Sequence, residues 1–283
     1  MFEIVRKREL NDAVKLMEID APLIAKKAQP GQFIILRIDE KGERIPLTIA
    51  DFNPEKGTVT IIFQEVGATT KRLGQLNEGD ALLDFVGPLG TASHLDGYKK
   101  VAVIGGGLGC AIAYPQAKKL HVMGAQVDSI IGFRNRDLII LEEEINAVSD
   151  RVFVATDDGS AGEKGFVSDV LRRLIDEGNA YDLVIAIGPL MMMKVVCDVT
   201  REYGIKTIVS MNPVMIDGTG MCGGCRVQVG GETKFACVDG PDFDGHLVDF
   251  DAAMSRQRMF RRAEQEADHR CRIGLTHGKD GVK

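Results

Sequence analysis

Residues 99–122 read KKVAVIGGGLGCAIAYPQAKKLHV, and this stretch decides what kind of fold the chain has. An apolar strand, VAVIG, runs straight into Gly105-Gly106-Gly107-Leu108-Gly109 and then into a helical stretch from Cys110 to Val122. Such a turn lets backbone approach a ligand closely and aims helix-terminal amides at a phosphate. The glycines do not follow the strict G-x-G-x-x-G fingerprint, so a plain strand-to-helix turn stays open as an alternative. The rhythm continues downstream. AQVDSIIGF, RVFVAT, YDLVIAIG and KTIVS are apolar strands, most of them separated by segments long enough for a helix. This alternation predicts a parallel α/β nucleotide-binding domain over residues 98–210. Ligands of such sheets collect beyond the carboxyl ends of the strands, where Asp157-Asp158-Gly159-Ser160 and Gly188-Pro189 fall. The acid that would bind an adenosine ribose at the end of the second strand is missing: Asp128 lies inside that strand, and Arg134 and Arg136 follow it. Those arginines suit a 2′-phosphate or are solvated loop charges, so the residues leave NADH and NADPH both open.

Outward toward the N-terminus, the apolar runs shorten to QFIILRI, RIPLTIA, TVTIIF and DALLDFV, divided by Pro30-Gly31, Asn53-Pro54 and Glu78-Gly79-Asp80. Residues 1–97 therefore read as a small antiparallel barrel of Greek-key type. Within it, Gly67-Ala68-Thr69-Thr70 precedes the helical stretch KRLGQL and offers hydroxyls and free amides to a pyrophosphate, or simply caps a helix.

After Met211 the pattern changes to NPVMIDGTGMCGGCRVQVGGETKFACVDGP. This segment, assigned to residues 211–250, looks too short for a core of its own, so a metal is expected to supply the missing stability. Asp217, Cys222, Cys225 and Cys237 have the spacing D-x4-C-x2-C-x11-C, and plant-type 2Fe-2S ferredoxins use C-x4-C-x2-C with a distant fourth cysteine. Glycines at 218, 220, 223 and 224 let backbone wrap an inorganic core. A structural zinc site, completed by Asp217 or His246, is the competing reading.

The chain has 283 residues, room for two domains and a small appendage. Its formal charge of −6 argues against nucleic acid as the main partner. Residues 251–283 differ, with eight Lys or Arg against five Asp or Glu, and read as a basic docking tail or a solvated helix. No run has the length of a signal sequence or membrane span, so a cytoplasmic protein without a membrane partner is expected. Six cysteines then favour metal or redox chemistry over disulfides. Cys110, Cys197 and Cys271 lie far from the cluster segment in sequence and receive no role.

Taken together, RIPLTIA, GGGLG and a ligand set ending in CGGC and FAC resemble the ferredoxin reductase superfamily. More narrowly, the chain is similar to the electron-transfer subunits of dihydroorotate dehydrogenase, to sulfide dehydrogenase subunits, and above all to the small (alpha) subunit of NADH-dependent ferredoxin:NADP oxidoreductase. DGTGMCGGCRV, with aspartate in the first ligand position, is the specific part. The resemblance implies FAD on the barrel, contacted by Pro46, Leu47 and Thr48, by Ile62, Phe63 and Gln64, and by Gly67, Thr69 and Thr70. It implies NAD(H), with NADP(H) still open, near Gly105, Gly106, Gly107, Leu108 and Gly109, near Asp157, Asp158, Gly159 and Ser160, and near Gly188, Pro189 and Met191. It also implies a larger flavin or iron-sulfur partner subunit. The superfamily usually carries an arginine three residues before the Ser or Thr of its first flavin motif; Ile45 stands there and Arg44 lies one position earlier, which on a strand is the opposite face. No general acid or base is expected, because the cofactors carry the chemistry.

Overall fold

The computed structural model describes residues 1–259, 263–266 and 269. Its first sheet is antiparallel throughout and contains β1 (Phe2–Glu9), β2 (Val14–Asp20), β3 (Phe33–Arg37), β4 (Ile45–Asn53), β5 (Thr58–Gln64), β6 (Ala81–Leu82) and β7 (Asp84–Leu89), in the order β6-β1-β2-β5-β4-β3-β7. Three hairpin-linked strands, β3 to β5, return to lie beside β2, which is the Greek-key connection. The two end strands are separated in sequence by Leu83 alone, so the sheet curls back on itself into a near-barrel. Period-two alternation fills it: Val59, Ile61 and Phe63 of β5 and Ile34 and Leu36 of β3 point into one core, joined by Ile24 and Ala25 of the short α1 (Pro22–Ala25) and by Leu73 of α2 (Ala68–Gln75).

The second sheet contains β8 (Lys100–Gly106), β9 (Gln126–Phe133), β10 (Arg151–Thr156), β11 (Glu163–Lys164), β12 (Leu183–Ile187), β13 (Thr207–Ser210) and β16 (Asp242–Asp244), ordered β11-β10-β9-β8-β12-β13-β16. All neighbours are parallel except β16, which runs antiparallel to β13. The helices are α3 (Gly109–Val122), α4 (Glu142–Asn146), α5 (Val167–Asp176) and α6 (Leu190–Glu202). On β8, Val101 and Val103 meet α3 through Ala113, Ala117 and Leu120, whereas Ala102 and Ile104 meet α5 and α6 on the other face. A strand buried on both faces is expected to be apolar throughout, as VAVI is.

An apolar layer joins barrel to sheet: Val14, Leu16, Ala50 and Ile62 pack on Cys110, Ala111, Ile131, Phe133 and Leu141. Lys118 on α3 also bonds both carboxylate oxygens of Asp51 on β4 at 2.8 Å. No described helix is long and apolar enough to cross a membrane.

The cluster segment is less separate than its sequence suggests. It forms the hairpin β14 (Arg226–Val229) with β15 (Glu232–Phe235), contributes β16 to the nucleotide sheet, and buries Phe243, Val248 and Phe250 in the same core as α5 and α6. Tertiary packing therefore supplies stability that the sequence reading assigned to a metal. The three residues of β16, Asp-Phe-Asp, are too few to show a period. Phe250 also opens a further helix, α7 (Phe250–Gln257), so the start of the basic tail is a docked helix. Most of residues 260–283, Cys271 included, lie outside the described residues.

Candidate functional site

The strand order of the second sheet reverses between β8 and β12, and at such a point the loops leaving the two strands diverge and open a crevice. Gly105 and Gly106 end β8, and Gly188, Pro189 and Met191 lie between β12 and the first turn of α6. The crowding is specific. A Cβ on Gly109 would stand 2.1 Å from the Ile187 carbonyl oxygen, so only glycine lets α3 begin against β12. Gly107, by contrast, has φ +55° and open space where a Cβ would go, leaving backbone bare at the crevice. Asp157 to Ser160 follow β10, two strands from β8, in a turn fixed by Thr156 Oγ1, which donates to the Ala161 carbonyl at 2.7 Å. Asp158 accepts from the hydroxyl (2.6 Å) and amide (2.9 Å) of Ser160, and the hydroxyl bond leads in holding its carboxyl below the usual range. Arg134 and Arg136 are exposed beyond β9.

Asp128 has no ligand role in this geometry. It is fully buried near the opposite end of the sheet, bonded by Arg151 Nε at 2.9 Å and Tyr181 Oη at 2.8 Å. Burial pushes its carboxyl up, but these two donors outweigh burial and hold it below the ordinary value.

On the barrel, Pro46, Leu47 and Thr48 lie on β4, Ile62 to Gln64 on β5, and Gly67, Thr69 and Thr70 at the start of α2. The β4 and α2 residues and Gln64 are half-buried, forming a strip that can receive a planar ligand. Ile62 and Phe63 differ: Phe63 is fully inside the barrel and Ile62 faces the layer shared with α3, which leaves them chiefly backbone to offer. Both threonine hydroxyls are engaged. Thr70 Oγ1 accepts from the amides of Val66 (3.0 Å) and Gly67 (3.1 Å), and Thr69 Oγ1 donates to Glu43 at 2.7 Å. The backbone amides of the first turn remain for an anion. Arg44 donates to the Ile216 carbonyl at 3.2 Å and so ties the barrel to the cluster segment.

In that segment Gly218, Gly220 and Gly223 all have positive φ. Asp217 accepts from the amides of Thr219 (2.9 Å) and Cys222 (2.7 Å), the Thr219 bond leading in holding its carboxyl below the usual range. Cys225 and Cys237 are buried with their thiols in contact, and burial, then that contact, pushes Cys237 up to about 12. The Gly224 amide points at Cys222 Sγ, 3.4 Å away. Among the described residues no three donors close on one point; they stand in two pairs, Asp217 with Cys222 and Cys225 with Cys237. Two such pairs match the two protein ligands that each iron of a two-iron cluster takes. A buried thiol that resists ionisation, as Cys237 does, also needs a cation to hold it as a thiolate. His246, the other candidate zinc ligand, is bonded instead to Thr200 Oγ1 at 2.9 Å beside β13. Cys110 and Cys197 are buried in the core, where burial raises their thiols.

Residues 212–249 match the iron-sulfur cluster binding domain of dihydroorotate dehydrogenase B. A Thermotoga maritima protein described as a homolog of the dihydroorotate dehydrogenase B (NAD(+)) electron transfer subunit is 46% identical over 93% of this chain and 93% of its own. The chain belongs to the dihydroorotate dehydrogenase B electron transfer subunit family. A Clostridium beijerinckii protein, described as an uncharacterized protein in the adh 3′ region, is 53% identical over 99% of this chain and 98% of its own. A solved structure reported for flavin-based electron bifurcation by NADH-dependent reduced ferredoxin-NADP oxidoreductase superposes with a TM-score of 0.91 at 44% identity, covering 95% of this chain and 97% of that one. More distant ferredoxin reductases share the fold. As a family member, the chain is an oxidoreductase subunit with an iron-sulfur cluster binding domain. Sequence reasoning missed Glu43, Arg226 and Arg256 around these sites, because their roles arise from contacts between segments far apart in the chain.

Proposed function

We propose that this chain carries electrons between NAD(H) and a larger oxidoreductase subunit through FAD and a 2Fe-2S cluster, as the small subunit of an electron-bifurcating NADH-dependent ferredoxin:NADP oxidoreductase. The observation that carries this reading is the paired donor set that begins with Asp217. A dihydroorotate-oxidising partner is the alternative, and the aspartate in place of a fourth cysteine weighs against it.

The residues divide the work. Backbone at Gly105 to Gly109 and at Gly188, Pro189 and Met191 receives the dinucleotide, with Asp157 to Ser160 nearer its far end. Pro46 to Thr48, Gln64 and the first amides of α2 hold FAD. The Lys118–Asp51 pair and the apolar layer behind it fix the two sites against each other, which positions a nicotinamide for hydride transfer. Bound flavin supplies the exchange between a two-electron hydride donor and a one-electron acceptor. Asp217, Cys222, Cys225 and Cys237 then ligate the cluster at the exit. Exposed Val214, Ile216, Met221 and Val238 lie in the same segment, and such an apolar rim suits a docked partner. The cytoplasm, where Cys110 and Cys197 stay reduced, is the compartment that fits.

The purified protein is expected to be coloured, with flavin and iron-sulfur absorption that NADH bleaches without oxygen. A colourless zinc protein ends this reading. Isolating the native complex and identifying its larger subunit separates the two partners.

A further inference from the structure

Two guanidinium groups converge on the loop between Cys222 and Cys225 from outside it. Arg226 belongs to β14, and its Nη1 lies 3.1 Å from where a Gly223 Cβ would stand. Arg256 belongs to α7 and donates from Nη2 to the Gly224 carbonyl at 3.1 Å. Both line a cavity of about 290 Å³ behind the loop, with Met211, Pro213 and Val227.

Arg256 is held firmly enough to act at a distance from its own backbone. Phe250 is buried in the large core, Asp249 caps the helix by accepting from the Ala252 amide at 2.9 Å, and Lys194 of α6 pairs with Asp251 at 2.8 Å. Val229 and Val248 bridge the hairpin to the segment leading into α7. A trans peptide points its carbonyl and its N–H in opposite directions. With the Gly224 carbonyl turned out toward Arg256, the Cys225 N–H of the same peptide is turned back into the loop.

Resting on the cluster assignment above, we propose that Arg256 is a positioning residue that sets the reduction potential of the cluster, by orienting the Gly224–Cys225 peptide and by placing a cation beside the loop. The step it governs is the arrival of one electron from reduced flavin, in which the cluster is reduced, the flavin oxidised, and no bond to protein forms or breaks. That electron adds negative charge. A nearby cation and an inward amide both stabilise the reduced state, so Arg256 raises the potential. Arg226 supplies the second cation.

The test is a potentiometric titration, followed by electron paramagnetic resonance, of the full-length protein and its Arg256→Ala, Arg256→Gln and Arg256→Lys variants, with iron and sulfide measured on each. Amide exchange at Cys225 gives a readout independent of electron flow. Arg256→Ala is expected to disfavour reduction about tenfold, equivalent to about 59 mV for a one-electron couple, and to expose the Cys225 amide. Gln, which keeps a donor, and Lys, which keeps the charge, should fall between. Arg258→Ala, an exposed charge two residues on, should leave the potential unchanged. Wild-type potentials in all three Arg256 variants with full iron content overturn the proposal. So does loss of the cluster in all three, because the residue then holds the loop together without tuning it. Absence of iron in the unsubstituted protein instead defeats the cluster assignment itself.

Discussion

The carboxylate of Asp217 accepts the Thr219 and Cys222 amides at 2.9 and 2.7 Å, so it folds the loop and keeps its negative charge at the place where a first ligand is needed. A carboxylate is a harder donor than a thiolate, which changes how well the iron beside it tolerates an added electron. Asp217→Cys is expected to keep the cluster at a changed potential, whereas Asp217→Ala loses both the ligand and two amide acceptors and should hold much less iron. Visible absorption and iron content decide this. An intact, spectrally unchanged cluster in Asp217→Ala removes the aspartate from the ligand set. The residue scale is also where the sequence was most readable, because D-x4-C-x2-C packs its chemistry into nine neighbouring residues. Asp128 shows the opposite case: its place inside a strand was plain, but its partner Arg151 is 23 residues away and Tyr181 is 53 away, so its structural role needed the fold.

At the scale of elements, what matters is how closely α3 can start against β12. Gly109 would press a Cβ to 2.1 Å from the backbone oxygen of Ile187 on β12, which is main chain and not a side-chain tip, whereas Gly106 would meet Met192 Sδ at 2.3 Å, the far end of a flexible side chain. Gly109→Ala is therefore expected to cost about 2–3 kcal/mol in urea unfolding, with Gly106→Ala costing under about 1 kcal/mol by the same measure. NADH bleaching should be lost in the first and weakened in the second. Equal costs for the two would mean that the turn does not govern this packing. The five long strands of this sheet were legible because each is apolar and followed by a turn signal. The three-residue β16 and the four-residue strands of the β14–β15 hairpin were not, since polar residues interrupt them and leave no apolar run of the kind that marks β13. The same limit hid the barrel's closure, which depends on β6 and β7 meeting around a single residue, Leu83.

At the scale of the whole molecule, the three regions meet at one buried carboxyl group. Asp242 of β16 accepts from Ser93 Oγ at 2.6 Å, in the segment leaving the barrel, and from Gln116 Nε2 at 3.1 Å, on α3. Gly31 of the barrel leaves room for it, since a Cβ there would stand 3.2 Å from Asp242 Oδ2. Burial raises this carboxyl above the ordinary range, against the lowering effects of Ser93, Ser210, His94 and Gln116. For an acid whose folded pKa is raised, the stabilising contribution is complete below the unfolded value, about 3.9, and is lost as pH rises through the folded value. Asp242→Asn keeps a carbonyl oxygen to accept from Ser93 and Gln116, with no charge to bury. The variant should therefore be more stable than the wild type at pH 8, by about 1–2 kcal/mol in urea unfolding, and the gap should shrink toward pH 5. If Asp242→Asn loses stability equally at both values, the carboxylate works as an anion at the junction, and the neutral-acid account of how the three regions are joined is wrong.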